Sequence, residues 1–221
     1  MIRIDGLDIS KIELRVLRSR LSIITQEPVL FQGTLRFNLD PFEEHTNERL
    51  WEVLQRVGLS ELANANEGLE WPIQDGGQNL SAGERQVVCL ARVLLRPSRV
   101  IVLDEATSNV DAHFDSLIQS VIRSDFKNST ILCIAHRLNT IIDSDRILVL
   151  DKGESVEYDH PGTLVREPTA FRDLLLDTGG KTSRHLIKAA TLAQLHSKGD
   201  APEDVELYEM SRDFDVFKVD L

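Results

Sequence analysis

The 221 residues carry 36 acidic and 25 basic side chains, a formal net charge of −11 at pH 7, and that balance excludes a broad nucleic-acid surface. With 42% hydrophobic and 28% charged residues, the chain has an ordinary globular composition and is long enough to bury a core. Its longest unbroken apolar runs, 87–91 and 131–135, hold five residues each. A membrane-spanning helix needs ~20, so no span is expected.

The opening Met1-Ile2-Arg3-Ile4-Asp5-Gly6 alternates charged and apolar residues from Arg3 onward and does not read as a signal peptide. Apolar, β-branched runs predict strands over 21–25, 99–104, 129–134 and 146–151. They lack polar alternation, which predicts a largely parallel sheet covered on both faces, and hence an α/β fold. Between the first two strands, Leu50, Val53, Leu54 and Val57 predict a helix over 48–59 that ends at Gly58. A second helix over 82–95 stops before Pro97. So long an insertion predicts a helical subdomain, about 36–97, standing beside the sheet. Asp151-Lys152-Gly153 reads as a hairpin turn into a strand over 155–158. Residues 181–196 predict a basic amphipathic helix with Leu186, Ala190 and Ala193 on one face. From 197 to 221, eight acidic and three basic residues predict a solvated tail. Cys89 and Cys133 each lie inside an apolar run and read as buried, reduced thiols, which excludes a disulfide scaffold.

The chemistry concentrates in two places. Val100-Ile101-Val102-Leu103 reads as a central strand whose end presents Asp104 and Glu105, where parallel sheets bind ligands. One carboxylate could hold Mg2+ and the other orient or deprotonate a water, or the pair could simply cap the next helix. Upstream, Leu80-Ser81-Ala82-Gly83-Glu84-Arg85-Gln86 runs straight into a helix. Ser81 and Glu84 make a capping box, and the same helix start offers N–H groups and positive dipole to an anion. Gly83 would let the backbone approach a phosphate closely.

These residues resemble the signature helix and Walker B strand of an ATP-binding cassette (ABC) domain, a P-loop NTPase fold with an inserted helical subdomain. The remaining landmarks follow in that family's order. Gln26 resembles the Q-loop glutamine, Ser108-Asn109-Val110-Asp111 the D-loop, and His136 the switch histidine, although a histidine at a strand end also commonly bonds to backbone. The likeness covers roughly residues 1–178, leaving 179–221 as a C-terminal extension. It implies Glu105 as water-activating base and Asp104 with Gln26 as Mg2+ contacts. It further implies His136 as a γ-phosphate contact, and Ser81, Ala82, Gly83, Glu84 and Asp111 facing ATP held by a second cassette in a head-to-tail dimer. Thr25-Gln26-Glu27-Pro28 through Asn38-Leu39-Asp40-Pro41 resembles the second cassette of C-class, multidrug-resistance-associated exporters. That likeness implies transmembrane-domain partners, a place on the cytoplasmic face of a membrane, and a transmission surface over residues 26–38. Glu84 departs from the family's usual glutamine, and its charge near a γ-phosphate would need Arg85 or the metal to offset it.

One family landmark has no counterpart here. A G-x-x-x-x-G-K-[ST] loop is expected several tens of residues before Gln26, where only 25 stand. Gly180-Lys181-Thr182 fails the pattern because Leu175 occupies the first glycine position. The chain therefore reads as starting inside a cassette, inactive by itself. Two other readings stay open: a non-catalytic partner offering its signature face in trans, and a soluble ABC ATPase of chromosome maintenance or translation. The second lacks its customary long coiled-coil or charged insertion here.

Overall fold

The computed structural model describes residues 1–135 and 137–198, and the chain divides at Ala135 into two compact units. His136 and the acidic tail beyond residue 198 lie outside the described residues. The division falls within the stretch 1–178 that the sequence reading takes as one domain.

In the first unit, β1 (Arg3–Ile4) and β2 (Leu7–Asp8) form a hairpin, and α1 (Leu14–Arg18) leads into β3 (Leu21–Ile24). There follow β4 (Gly33–Thr34), α2 (Leu35–Leu39), α3 (Asn47–Arg56), α4 (Ser60–Ala65), β5 (Pro72–Ile73) and α5 (Ala82–Leu95). The unit closes with β6 (Val100–Asp104), α6 (Ala112–Asp125) and β7 (Thr130–Ile134). Strands β3, β6 and β7 pair in parallel in that order, with Ile24 beside Leu103 and Leu103 beside Cys133.

The helices form where capping and periodicity agree. Thr46 caps α3 by accepting from Arg49 N, and Leu50, Val53 and Leu54 bury one face before Gly58, at φ 70°, ends the run. α5 buries Val87, Val88, Leu90 and Ala91. Each such aliphatic side chain contributes ~1.5–3 kcal/mol relative to exposure. One continuous core joins these helices to Ile24, Ile101 and Leu103 of the sheet. The helical insertion therefore shares a core with the sheet.

The expectation of a sheet covered on both faces is corrected. Ser22, Ile24, Ile101, Leu103, Ile131 and Cys133 alternate with the residues of the opposite face, and the helices cover only their side. On the other side Ile23 is 60%, Leu132 55% and Ile134 57% exposed. Pairing register puts Ile23, Val102 and Leu132 in one row, so the exposed residues form a contiguous apolar strip.

The second unit contains α7 (Leu138–Ile141), β8 (Ile147–Asp151), β9 (Glu154–Asp159), α8 (Pro161–Leu164), α9 (Ala170–Asp177) and α10 (Gly180–Lys198). Lys152 and Gly153, at φ 48° and 84°, make the two-residue turn expected between β8 and β9. Phe171, Leu175, Leu186 and Ala190 fill its core. A Cβ on Gly162 would lie 2.6 Å from Ala190 O, so α8 and α10 pack at a distance only glycine permits. Strand β8 pairs with β9 alone and joins no parallel sheet among the described residues.

Candidate functional site

Parallel register builds the first part of the site. Because Ile24 pairs with Leu103, the Gln26 turn after β3 and the Asp104–Glu105 pair after β6 emerge on one carboxyl rim of the sheet. Open α/β sheets bind ligands there. Asp104 is exposed and Glu105 half-buried. Glu105 N donates to Ile134 O at 2.9 Å, while Ser108 N and Oγ donate to Glu105 O at 3.0 and 2.9 Å. This network holds Glu105 at φ 49°, a left-handed conformation that is strained for a residue with a Cβ. Gln26 is exposed in a turn that Thr25 Oγ1 closes by donating to Glu27 O at 2.8 Å.

Two helix starts supply the second part. At α5, Ser81 Oγ accepts from Glu84 N at 3.2 Å and Glu84 Oε2 accepts from Ser81 N at 2.7 Å, so the capping box is formed. The hydroxyl hydrogen of Ser81 remains available to donate. Glu84 is thus committed to its own helix start. Arg85 donates to Leu80 O at 2.7 Å and Gly77 O at 3.4 Å, so it screens backbone carbonyls instead of the Glu84 charge. At α6, Asp111 Oδ1 accepts from His113 N and Phe114 N at 3.0 and 3.1 Å. Asp111 is therefore a helix cap, a role in which carboxylates are preferred. The periodic run Phe114, Ile118, Val121, Ile122 behind it was the signal for α6, an element beyond the sequence expectation.

Gly83 has a different reason from the one expected. Its backbone is helical, and a Cβ there would run into the ring of Phe114, within 2.8 Å of Cγ. The glycine lets the first turns of α5 and α6 touch, which sets the Ser81 and Asp111 caps on neighbouring helix starts. Gly83→Ala is expected to destabilise the chain by ~1–3 kcal/mol through overpacking. Adding Phe114→Leu should recover most of the loss in thermal or urea melts. No loss in Gly83→Ala would contradict this packing role.

Among the described residues, no three His, Cys, Asp or Glu side chains gather to hold a metal by themselves. Asp104 and Gln26 fit a Mg2+ that keeps waters and phosphate oxygens as its other ligands, since both are oxygen donors on one rim. Gly180-Lys181-Thr182 opens α10, directly after helix α9, with no strand ahead of it. Cys89 and Cys133 are free but half-buried, less enclosed than expected, and burial pushes both thiols up from their ordinary value.

The Asn38-Leu39-Asp40-Pro41 run, read in the sequence only as a family likeness, has a structural role. Asn38 is buried, accepts from Phe31 N at 2.9 Å, and donates to Phe31 O and Thr34 O at 2.8 and 3.1 Å. Asp40 Oδ2 accepts from His45 N at 2.7 Å. The Asn-Leu-Asp-Pro run is thus a folding device for the segment after β3. That segment leaves Val29, Phe31, Phe37 and Phe42 exposed.

Residues 1–108 match the ABC transporter family. A solved structure, that of a bacterial Atm1-family ABC exporter with ATP bound, aligns with TM-score 0.74 at 30% identity, covering 80% of this chain and 32% of that one. The fold is that of an ATP-binding cassette domain. ABC transporter C family member 3 of Dictyostelium discoideum is 51% identical over 191 residues, 86% of this chain and 14% of that protein. ATP-binding cassette sub-family C member 3 of Homo sapiens is 50% identical over 179 residues, 80% of this chain and 12% of that protein. The sequence is that of a C-class ABC nucleotide-binding domain. It spans only a small part, 14% and 12%, of these two relatives. No helix among the described residues is long and apolar enough to cross a membrane.

Proposed function

We propose that the chain is part of the ATP-hydrolysing cassette of a C-class exporter, coupling ATP binding and hydrolysis to transport of a solute across a membrane. The observation that carries this reading is the common rim of Gln26, Asp104 and Glu105, beside the capped starts of α5 and α6. Glu105 would hold the attacking water and take its proton. Asp104 and Gln26 would hold Mg2+, and His136 would contact the γ-phosphate. Ser81, Ala82, Gly83 and Glu84 would present the α5 start to nucleotide on a second cassette, with Asp111 beside them. MgATP, when bound, supplies the electrophilic phosphorus and the metal that neutralises its oxygens. Residues 1–178 would form the cassette portion. A phosphate loop from outside these 221 residues would complete it, and the exposed apolar strip on the sheet is the kind of surface added polypeptide covers. The exposed Val29, Phe31 and Phe37 suit contact with the exporter's transmembrane domains, which would hold the chain at the cytoplasmic face.

The test is association with an intact C-class cassette whose hydrolysis is arrested, followed by analytical ultracentrifugation. Binding at least ~10-fold tighter in MgATP than in MgADP is expected, worth ~1.4 kcal/mol. Glu84→Gln keeps the cap through its amide oxygen while removing the charge, so it should tighten the complex further. Equal affinity in both nucleotides would overturn the reading.

A further inference from the structure

Two side chains of α5 grip the main chain on either side of the Gln26 turn. Gln86 Nε2 donates to Thr25 O at 2.9 Å, and Arg92 Nη1 donates to Val29 O at 2.7 Å. The Thr25 hydroxyl closes the turn between them on Glu27 O. Neither grip is explained by packing alone. Gln86 is 2% exposed, and its Oε1 has no hydrogen-bond partner among the described residues. An apolar side chain of similar volume would fill the same space without an unmet acceptor, so the amide is retained for what its nitrogen holds. Arg92 brings a charged guanidinium into a half-buried position. Its Nε and Nη2 donate to Asn38 O and Oδ1 at 2.6 and 3.0 Å, and Nη1 reaches Cys89 Sγ at 3.8 Å. Asn38 is itself bonded to Phe31 N and O, so the arginine fixes the segment on the far side of the turn at three oxygens.

We propose that Gln86 and Arg92 are positioning residues for Gln26: they clamp both ends of its turn to α5, so that displacement of the α5 start reaches Gln26 of the same chain through one helix. At ~1.5 Å rise per residue, Gln86 lies about 7.5 Å along the axis from Ser81 and Arg92 about 9 Å further. The whole linkage is about three turns of a single rigid element. The proposal rests on the reading of Gln26 as a metal and coupling contact given above, and it adds that the contact is preset by the helix before any nucleotide arrives.

Backbone 15N relaxation on the full chain, at a concentration where it is monomeric, tests this without nucleotide. Order parameters at Gln26 and Glu27 should match the rigid value of ~0.85 seen for core strands. Gln86→Met, which keeps the volume and removes the donor, should drop both below ~0.6 while residues 101–103 of β6 stay unchanged. Arg92→Lys, which cannot fork to Val29 and Asn38 together, should do the same. Unchanged values in a folded variant, values already below ~0.6 in the unmodified chain, or loss of the whole fold in both variants would overturn the proposal. If one variant alone unfolds, the other decides. Loosening as expected, together with normal Mg2+-dependent hydrolysis in a complete cassette carrying Gln26→Ala, would support the clamp while retiring the role of Gln26.

Discussion

Glu105→Gln in a complete C-class cassette carrying this sequence is expected to lower ATP turnover by roughly 10²–10⁴-fold, the range a positioned general base contributes, with nucleotide affinity preserved. The carboxylate sits where the last strand residue and the first turn are fixed by three hydrogen bonds, to Ile134 O and from Ser108. Its left-handed backbone aims the side chain by a geometry the substitution does not alter, because glutamine is isosteric and meets the same strain. Only proton acceptance is removed. Steady-state turnover, together with a binding measurement under non-hydrolysing conditions, separates the two quantities. Retained turnover, or affinity lost in parallel with it, would contradict the assigned role.

The second large effect concerns the 221 residues alone. Calorimetry is expected to show no MgATP binding in the micromolar range. Triphosphate affinity in P-loop proteins rests on loop amides and a lysine, and a hydrogen bond to a charged group contributes ~1.5–3 kcal/mol. Withholding three such contacts at the lower figure already weakens binding by about a thousandfold. The groups on the rim, Gln26, Asp104 and Glu105, are an amide and two carboxylates, and none of the three is a cation that could pair with the phosphates. A micromolar dissociation constant would show that another part of the chain cradles them.

Local features of the fold were legible in the sequence because local chemistry dictates them. The Lys152-Gly153 turn, the Ser81–Glu84 box and the Gly58 stop each follow from a few adjacent residues. What escaped depends on residues far apart. Gly83 needs Phe114, 31 positions later, to explain it, and Gln86 meets Thr25 across 61 positions. The covering of the sheet was misread for a related reason. Apolar residues at Ile23, Leu132 and Ile134 state that a face avoids water but not which polypeptide covers it, and the core that the first unit's helices share with the sheet lies on the opposite face. Asp111 was read only for a role toward a neighbouring domain, and the structure shows it capping a helix, which the sequence reading had not considered.

The central claim is that the α5 start at Ser81 borders the triphosphate of a facing cassette, and paramagnetic broadening tests it most directly. With an intact, hydrolysis-arrested C-class cassette loaded with MnATP, the amides of Ser81, Ala82, Gly83 and Glu84 of this chain should broaden selectively, and the effect should vanish with the magnesium salt. Broadening that spares these four amides, or that falls instead on residues of the second unit, would contradict the account.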